Sequence, residues 1–519
     1  MLSLLIFLPL VFAFIIWIVP GVKHVRMISL ILSLVHFALS LTLLKSLDLT
    51  SSALQMVEQI PWVKSKGISY FVGIDGISLW LVLLSTFLVP IIILGSWSSI
   101  TEKVKGFHIT LFLLSSTMVG TFLAMDAILF YTFFEASLVP MYFMVGIWGG
   151  KRRIYATVKF FIYTMAGSVF MLLAIIAMMF MTESQLGTMS ASLVDFYKLQ
   201  IPFVSGTFFS TQTLLFFAFC VAFAIKVPAF PFHTWLPDAH VEAPTPGSVI
   251  LAGVMLKMGT YGFLRFSLPM FPEATEYWAW LFLLLGTIGI IYGALVAMVQ
   301  PDMKKLVAYS SVSHMGYILI GLFAMNKQGI TGGLYQMLNH GISTGALFLL
   351  VGMIYERTHS REISKYGGLA KAAPIFAIFF VIVTLSSIAV PMTNGFIGEF
   401  LILLGTYKAY SSFAYFAVVG VVLGAAYMLW LVKKVFFGEY GEIITEWKDK
   451  YGDTKGLDMN KREILVMIPM VILIFYMGLF PNHFLMWTES SIAKVVESKG
   501  NYELTISPII ENQNQVSKR

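Results

Sequence analysis

The chain has 519 residues, of which 58% are hydrophobic and 12% are charged, and its formal net charge is +7. Soluble domains carry roughly 25% charged residues, so this composition excludes an ordinary soluble enzyme and is typical of a membrane protein. The single cysteine, Cys220, excludes an internal disulfide and an iron–sulfur cluster held by this chain alone.

Apolar runs dominate the chain from its first residues onward. A run of about 18 apolar residues or more is long enough to cross a bilayer. The first run has no basic residue before it and no small-residue cleavage site after it, so we expect a permanent helix there and not a signal peptide. The sequence therefore predicts an all-α polytopic membrane protein in a single membrane domain. The fourteen predicted spans are 2–20, 27–45, 75–97, 107–124, 127–149, 157–181, 212–229, 246–269, 277–299, 304–324, 330–356, 372–406, 412–437 and 463–485.

Two of these spans contain helix-breaking residues at corresponding positions. The first reads AIKVPAFPFHTWLPDA and includes Pro228, and the second reads SIAVPMTNGFIGEFLI and includes Pro391. Proline removes a backbone donor and clashes with the preceding turn, so we expect both helices to be interrupted. Aligning the two prolines places each break in the fourth helix of a five-helix block, 107–269 and 277–437. An odd number of helices inverts the second block, which is the pattern of inverted-repeat transporters with an ion site near the breaks.

The alternative is two unrelated proline kinks in a long membrane protein. Outside the two blocks, residues 1–106 are predicted to form three N-terminal transmembrane helices. Residues 438–519 are predicted to form a cytoplasmic loop, a last transmembrane helix and a polar tail.

Glu135, Lys226, Lys257 and Glu399 each lie within an apolar run of a different predicted span and are the candidate intramembrane charges. A charge near the bilayer centre costs about 2.5–3.5 kcal/mol on insertion scales, so such residues usually pair or border a wet cavity. We therefore predict a proton or ion path through the membrane. Each residue also has a structural alternative. Either carboxyl group could act only as a hydrogen-bonding strut between helices, and Lys226 could only cap carbonyls freed by the break.

Several histidines lie near these charges. His314 and His340 fall in separate spans of the second block, and an imidazole can pass a proton on near neutral pH. A structural role for each is equally compatible with the sequence. His233 and His240 flank Asp238 at a spacing with no established metal geometry, so we expect local hydrogen bonding there in preference to metal ligation.

The sequence does not favour a nucleotide-binding site. No Gly-Lys pair is followed by Ser or Thr, so the sequence has no P-loop. The run GTIGIIYG at 286–293 resembles a glycine-rich loop, but small residues within an apolar span favour close helix packing.

Lysine and arginine placement predicts the orientation of the chain. The odd-numbered loops and their helix ends carry 21 of the 34 basic residues, and the even-numbered ones carry seven. By the positive-inside rule, the odd loops face the cytoplasm and both termini face the opposite compartment. The net positive charge is mostly this asymmetry and does not indicate nucleic-acid binding.

Four stretches together resemble the antiporter-like subunits of respiratory complex I, the NADH:quinone oxidoreductase. They are FFEASLVPMYFMVGIWG, KVPAFPFHTWLPDAHVEAPTPGSVILAGVMLKMGTYGFLRF, DMKKLVAYSSVSHMGYILIGL and NGFIGEFLIL. The resemblance covers nearly the whole chain, and the WLPDAHVEAP run is very specific. Within the family, the LVPMY and HVEAP segments are most similar to the subunit M branch, which is called chain 4 in mitochondria.

The resemblance implies a role in proton translocation for the buried charges and for the two histidines on the family's polar axis: Glu135, Lys226, Lys257, Glu399, His314 and His340. One departure concerns the internal repeat, because Ala389 occupies the position that corresponds to Lys226. The second half-channel is therefore not a chemical copy of the first.

The resemblance also implies that no cofactor or metal is held in this chain. NADH, FMN, iron–sulfur clusters and quinone would be bound by other subunits. The expected partners are the neighbouring membrane subunits of the complex, especially homologous antiporter-like ones, and the expected location is the inner (cytoplasmic) membrane. The alternatives are the corresponding subunit of a multisubunit cation/proton antiporter, a membrane-bound hydrogenase or a ferredoxin-dependent photosynthetic complex, and a non-pumping scaffold.

Overall fold

The computed structural model describes residues 1–207, 209–497 and 504–507 and is almost entirely helical. The helices are α1 (Leu2–Ile18), α2 (Val22–Leu41), α3 (Leu43–Ser46), α4 (Gly76–Gly95), α5 (Val104–Leu123), α6 (Ala127–Ala136), α7 (Leu138–Trp148), α8 (Arg153–Leu186), α9 (Leu193–Phe196), α10 (Thr211–Lys226), α11 (Trp235–Glu242), α12 (Thr245–Ile250), α13 (Leu256–Gly262), α14 (Leu268–Met270), α15 (Pro272–Met298), α16 (Met303–Phe323), α17 (Lys327–Thr358), α18 (Leu369–Ala372), α19 (Pro374–Ser387), α20 (Asn394–Ala409), α21 (Ser411–Phe436), α22 (Glu442–Tyr451), α23 (Lys461–Leu479), α24 (Asn482–Leu485) and α25 (Glu489–Glu497). Two π-helical turns, Leu251–Met255 and Phe263–Ser267, flank α13.

The helices confirm a polytopic membrane protein. Within the described residues, 11 helical stretches are long and apolar enough to cross a membrane. Three shorter apolar helices, α1, α10 and α19, coincide with further predicted spans. The total of fourteen crossings remains a prediction, because these three are each shorter than a bilayer requires.

A β-hairpin is the feature that the sequence interpretation missed. Strands β1 (Gln55–Val63) and β2 (Ile68–Ile74) pair antiparallel within a segment that was expected only to connect two helices. Both strands are rich in β-branched and aromatic residues, which favour extended backbone. The connecting turn ends at Gly67, whose φ of 61° is readily adopted only by glycine.

Both predicted helix breaks are confirmed. The first interrupts the backbone between α10 and α11, and the second separates α19 from α20. At the first break the indole N–H of Trp235 donates to the freed carbonyl of Ile225 at 2.9 Å. At the second, Thr393 Oγ1 donates to the carbonyl of Val390 at 2.6 Å. Irregular backbone is tolerated at membrane depth because such partners replace the missing helical hydrogen bonds.

The glycine-rich run in α15 is a helix-packing surface, as the sequence indicates. A Cβ atom on Gly293 would lie 2.8 Å from the backbone nitrogen of Ser313, and one on Gly286 would lie 2.7 Å from Ile320 Cγ2. Only a hydrogen side chain allows α15 and α16 to approach so closely.

A buried ion pair anchors the helix that carries Lys257. Nη2 of Arg265 donates to both carboxylate oxygens of Asp75, at 2.6 and 2.7 Å, and both side chains are 1% exposed. Asp75 also caps α4 by accepting from the amides of Ile77 and Ser78. Since Arg265 lies two turns after Lys257, the pair fixes the rotation and height of that helix relative to α4.

We expect Arg265→Met to lower the thermal midpoint of the assembled protein strongly. The substitution leaves the buried Asp75 carboxylate without its cationic partner. Removing one partner of a buried ion pair costs about 3–5 kcal/mol of folding stability. The double variant Asp75→Asn with Arg265→Met should recover much of that loss, because it buries no unpaired charge. Equal midpoints for the single and double variants, measured by differential scanning fluorimetry in detergent, would contradict the anchoring role.

Candidate functional site

The sequence-predicted Lys226 and Glu135 lie close together in the first block, but they do not form a direct ion pair. Lys226 is 1% exposed, donates to Ser137 Oγ at 3.4 Å, and lies 4.6 Å from the ring centroid of Phe134. Among the ion pairs of the described residues, defined by an N···O distance within 4.0 Å, none joins Glu135 to Lys226. The two charges still act on each other electrostatically. The structure therefore shows a charge pair held apart.

Lys226 does not cap the helix break. Trp235 satisfies the nearest freed carbonyl, and the lysine ammonium turns instead toward Ser137 and the face of Phe134. An ammonium over an aromatic face is attracted by the ring quadrupole, and this stabilises a cation that lacks a direct carboxylate partner. The geometry thus argues against the capping alternative for this residue.

Lys257 is fully buried at the centre of the bundle. Its exposure is 0%, and its ammonium group donates to the carbonyl of Ala252 and contacts His340 Nδ1 at 2.7 Å. Ala252 belongs to the π-helical turn that precedes α13. Single π turns inside α-helices frequently occur at functional sites, because they widen the helix and free carbonyl groups.

A polar chain continues from Lys257 across the second block. The imidazole rings of His340 and His314 have centroids 5.8 Å apart, and His314 Nδ1 lies 3.1 Å from Glu399 Oε1. Each of these side chains is less than 9% exposed. The structure therefore brings four of the six predicted residues into one buried row, in the order Lys257, His340, His314 and Glu399.

A small cavity lies between the two histidines. Its volume is about 10 Å³, and its lining includes His314, His340, Ser343 and Ser387. This is close to the smallest space that can hold one water molecule beside polar partners. His340 Nε2 has no hydrogen-bond partner among the described side chains and backbone, and His314 Nε2 lies 3.5 Å from Ser387 Oγ. The geometry can accommodate a water-bridged proton transfer between the rings.

Amide and hydroxyl side chains on α17 hold the acidic end of this row. Gln336 Nε2 donates to Glu399 Oε1 at 3.2 Å, and Asn339 donates to Gln336 Oε1 at 3.0 Å and to the carbonyl of Asn394 at 2.8 Å. Sequence reasoning missed these residues. Their signal was the spacing of Gln336, Asn339, His340 and Ser343, which places polar groups on one face of an otherwise apolar helix.

No described hydrogen bond links the Lys226 group to the Lys257 row, although their helices pack tightly. A Cβ atom on Gly259 would lie 2.9 Å from the carbonyl oxygen of Phe223, and one on Gly262 would lie 2.3 Å from the Phe223 ring. The last turns of α10 thus pack directly against the small residues of α13. Among the described residues, the two parts of the site are thus joined by helix packing and not by a hydrogen bond.

Of the two histidines near the first break, His240 differs from the expected local hydrogen bonding and His233 does not. His240 is fully buried, stacks on Phe348 with centroids 4.6 Å apart, and has no hydrogen-bond partner on either ring nitrogen within the described part of the chain. His233 stacks on Phe230 with ring centroids 5.7 Å apart and makes a local hydrogen bond with the backbone of Pro231. Over residues 1–207, 209–497 and 504–507, no group of three or more His, Cys, Asp and Glu side chains could hold a metal ion.

Buried lysines and carboxyl groups, joined by imidazoles and placed beside two helix breaks, define the chain as a polytopic membrane protein of the ion-translocating class. The family model of the membrane region shared by NADH:quinone oxidoreductase and the Mrp antiporter matches residues 124–424. The chain belongs to this family of antiporter-like membrane subunits.

Individual relatives narrow the assignment within the family. The chain is 44% identical over 506 residues to NADH-quinone oxidoreductase subunit M of Rhodobacter capsulatus, and the match covers 96% of each chain. It is similar to a chain of respiratory complex I from Thermus thermophilus, with a TM-score of 0.83, 32% identity, and coverage of 96% of this chain and 100% of that one. A chain of the Mrp complex from Dietzia sp. DQ12-45-1b shares the fold, with a TM-score of 0.81, 18% identity, and coverage of 98% of this chain and 99% of that one.

Proposed function

We propose that this chain is the subunit M type of proton-translocating membrane subunit of an NADH:quinone oxidoreductase. The observation that carries the proposal is the buried row of titratable groups from Lys257 through His340 and His314 to Glu399. Its members alternate proton donors and acceptors at or near hydrogen-bonding distance. Burying an ammonium and a carboxyl group at this depth costs free energy, and in membrane proteins such groups usually mark an ion or proton pathway.

In this mechanism, the separation of Lys226 from Glu135 sets the direction of transfer. When the ammonium approaches the carboxylate, the pair holds the proton on Lys226 by direct attraction. When the ammonium turns toward Ser137 and Phe134, as in this structure, that attraction weakens and a proton can leave toward Lys257. The bias on the pair must come from outside the chain.

The second half of the path then acts as a relay. Lys257 gives a proton to His340 Nδ1, the opposite ring nitrogen passes it by way of a water molecule to His314, and Glu399 accepts it from His314 Nδ1. Each imidazole takes up a proton on one nitrogen and releases one from the other, which is the ordinary way in which a histidine shuttles protons. Gln336 keeps the Glu399 carboxyl group beside His314 during this step.

The relatives support the proposed parent reaction and the proposed partners. Identity of 44% over nearly the whole chain to a subunit M, against 18% to an Mrp chain, favours the quinone reductase over the cation/proton antiporter. NADH, FMN, iron–sulfur clusters and quinone would be bound elsewhere in the complex. The chain would lie in the inner (cytoplasmic) membrane between homologous antiporter-like subunits, with both termini on the non-cytoplasmic side.

Glu135→Ala and Lys226→Ala should each lower NADH-driven proton pumping in membrane vesicles by about tenfold or more, because a positioned acid–base group is lost from the path. The complex should still assemble on native gels. Lys408→Ala, which removes an exposed lysine from the end of α20, is the matched control and should pump normally. Normal pumping by an assembled Glu135 or Lys226 variant would rule out the switch.

Glu399→Gln should impair pumping severely, whereas Glu399→Asp should keep much of it, because only a titratable side chain can accept the proton from His314. Gln preserves the size and the hydrogen bond to Gln336, so it tests titration separately from structure. Glu446→Gln, at an exposed position of α22, serves as the control for loss of one carboxylate. Equal pumping by the Gln and Asp variants would show that Glu399 is a hydrogen-bonding strut.

The purified chain in liposomes should neither oxidise NADH nor reduce quinone, because the redox groups are proposed to belong to other subunits. Affinity purification of the chain from its native membrane should recover homologous antiporter-like subunits with it. Redox activity in the isolated chain, or a stable homo-oligomer as the sole native form, would contradict membership of the complex.

A further inference from the structure

A second polar cavity opens on the membrane face that carries the lysine- and arginine-rich loops. Its volume is about 620 Å³, and it lies between the start of α8, the segment after α11, the start of α16 and the end of α17. Four basic residues line it, namely Lys151, Arg152, Lys304 and Arg361, and Glu242 is the one carboxylate in the lining. None of these five belongs to the proposed proton path.

The single carboxylate is already bound to the protein. Glu242 Oε2 accepts a hydrogen bond from the backbone amide of Arg152 at 2.8 Å, at the N-terminal end of α8. It makes no ion pair within 4.0 Å among the described residues. The cavity therefore carries a clear excess of positive charge.

The basic side chains are held in place to different degrees. Lys304 is 7% exposed, and its ammonium group donates to the carbonyls of Val241 and Ala243. Arg361 pairs with Asp302 at 3.2 Å and donates to the carbonyl of Val241 at 2.9 Å. These two cations form a fixed inner wall.

The remaining two cations stand at the outer rim. Arg152 lies over the ring of Tyr155 at 4.8 Å, and Lys151 is exposed. Because the inner cations are fixed and the outer ones lie at the exposed rim, the side chains of Lys151 and Arg152 can contact a charged group that enters the cavity.

This charge distribution disfavours proton entry and favours an anion. Asp302 offsets Arg361 and Glu242 offsets one further charge, so the lysines and Arg152 leave the cavity with a net positive charge that attracts a phosphate. Arginine binds phosphate oxygens in a two-pronged geometry, and basic pockets on this face of membrane proteins accept anionic lipid head groups. We propose that the cavity binds a phosphate group, supplied by the phosphodiester head group of an anionic phospholipid.

The surface below the cavity favours a lipid over free phosphate. Helix α8 begins directly after Arg152 and exposes apolar side chains along its length, with Ile154 64%, Ile162 57% and Leu173 59% exposed. Acyl chains attached to a head group in the cavity would lie along this apolar face. Trp148 also lines the cavity, its indole N–H donates to the carbonyl of Glu102 at 2.9 Å, and tryptophan is a residue type enriched at membrane–water interfaces.

The test uses the intact parent complex, depleted of lipid in detergent and incubated with photoactivatable phosphatidylglycerol or phosphatidylcholine that carry the same diazirine acyl chain. We expect phosphatidylglycerol to cross-link to peptides around 148–158 and 352–361 several-fold more than phosphatidylcholine. The double variant Lys151→Gln with Arg152→Gln should lower that cross-linking by about fivefold or more.

Two controls separate charge at this cavity from charge in general. Lys433→Gln with Lys434→Gln removes two exposed lysines from the last turn of α21 and should leave cross-linking unchanged. Arg152→Lys keeps the charge and should retain most of the labelling. Equal labelling by the two lipids in the unmodified complex, or equal loss in both double variants, would overturn the proposal without depending on how any single variant folds.

A comparison with inorganic phosphate identifies whether the bound phosphate group comes from a lipid or from solution. Reaction of Lys151 with an amine-reactive reagent is followed in the presence of either phosphatidylglycerol or inorganic phosphate, with Lys434 as the internal reference. Protection by the lipid at concentrations where phosphate has no effect supports a lipid site. Protection by inorganic phosphate without lipid cross-linking would support phosphate recognition and overturn the lipid as its source.

Discussion

The ammonium group of Lys257 is the constraint around which the rest of the structure is arranged. It lies at 0% exposure in the middle of the bundle, and its partners in the described chain are a carbonyl and an imidazole. A charge in such a position is tolerated only if the surroundings supply oriented dipoles and a group that can share its proton. The π-helical turn supplies the first by presenting the carbonyl of Ala252, and His340 supplies the second.

The helix breaks follow from the same requirement. A regular α-helix has no free backbone group with which to solvate a polar site at membrane depth, whereas a break exposes carbonyls and admits polar side chains. The first break places Lys226 at a helix end, and the second places Asn394 and Glu399 near the start of α20. Since the breaks lie in corresponding helices of the two blocks, one structural device serves both halves while their side chains differ, with Lys226 in one and Ala389 in the other.

The sequence predicted those features that depend on composition and on single strong signals. Proline in an apolar run predicts a break, and a lysine in such a run predicts a buried charge that needs a partner or a polar cavity. The β-hairpin was missed because its strands lie in a short segment between spans, where a pattern of seven to nine residues is weak beside the long apolar runs. The pairing of Lys257 with His340 could not be predicted, because 83 residues separate them and only the packing of α17 against α12 and the π-helical turn before α13 brings them together.

The separation of Glu135 from Lys226 could not be predicted from the sequence either. The sequence indicated two opposite charges in neighbouring helices, but not the rotamer that turns the ammonium group toward Ser137. The amide residues of α17 were within reach of a periodicity argument. Polar side chains at 336, 339, 340 and 343 fall on one helical face, and such a face inside an apolar span needs a polar surface opposite it.

Within the described residues no hydrogen bond links the two halves of the site, and this gives packing a specific role. Gly259 and Gly262 of α13 contact the last turns of α10 so closely that a methyl group would not fit at either position. A change at the break that moves Lys226 toward Glu135 must also shift Phe223 and Val227, and these press on the same glycines. Close-packed interiors transmit such displacements because they have little free volume in which to absorb them. The contact of α10 with α13 therefore couples the position of the first break mechanically to the helix that carries Lys257.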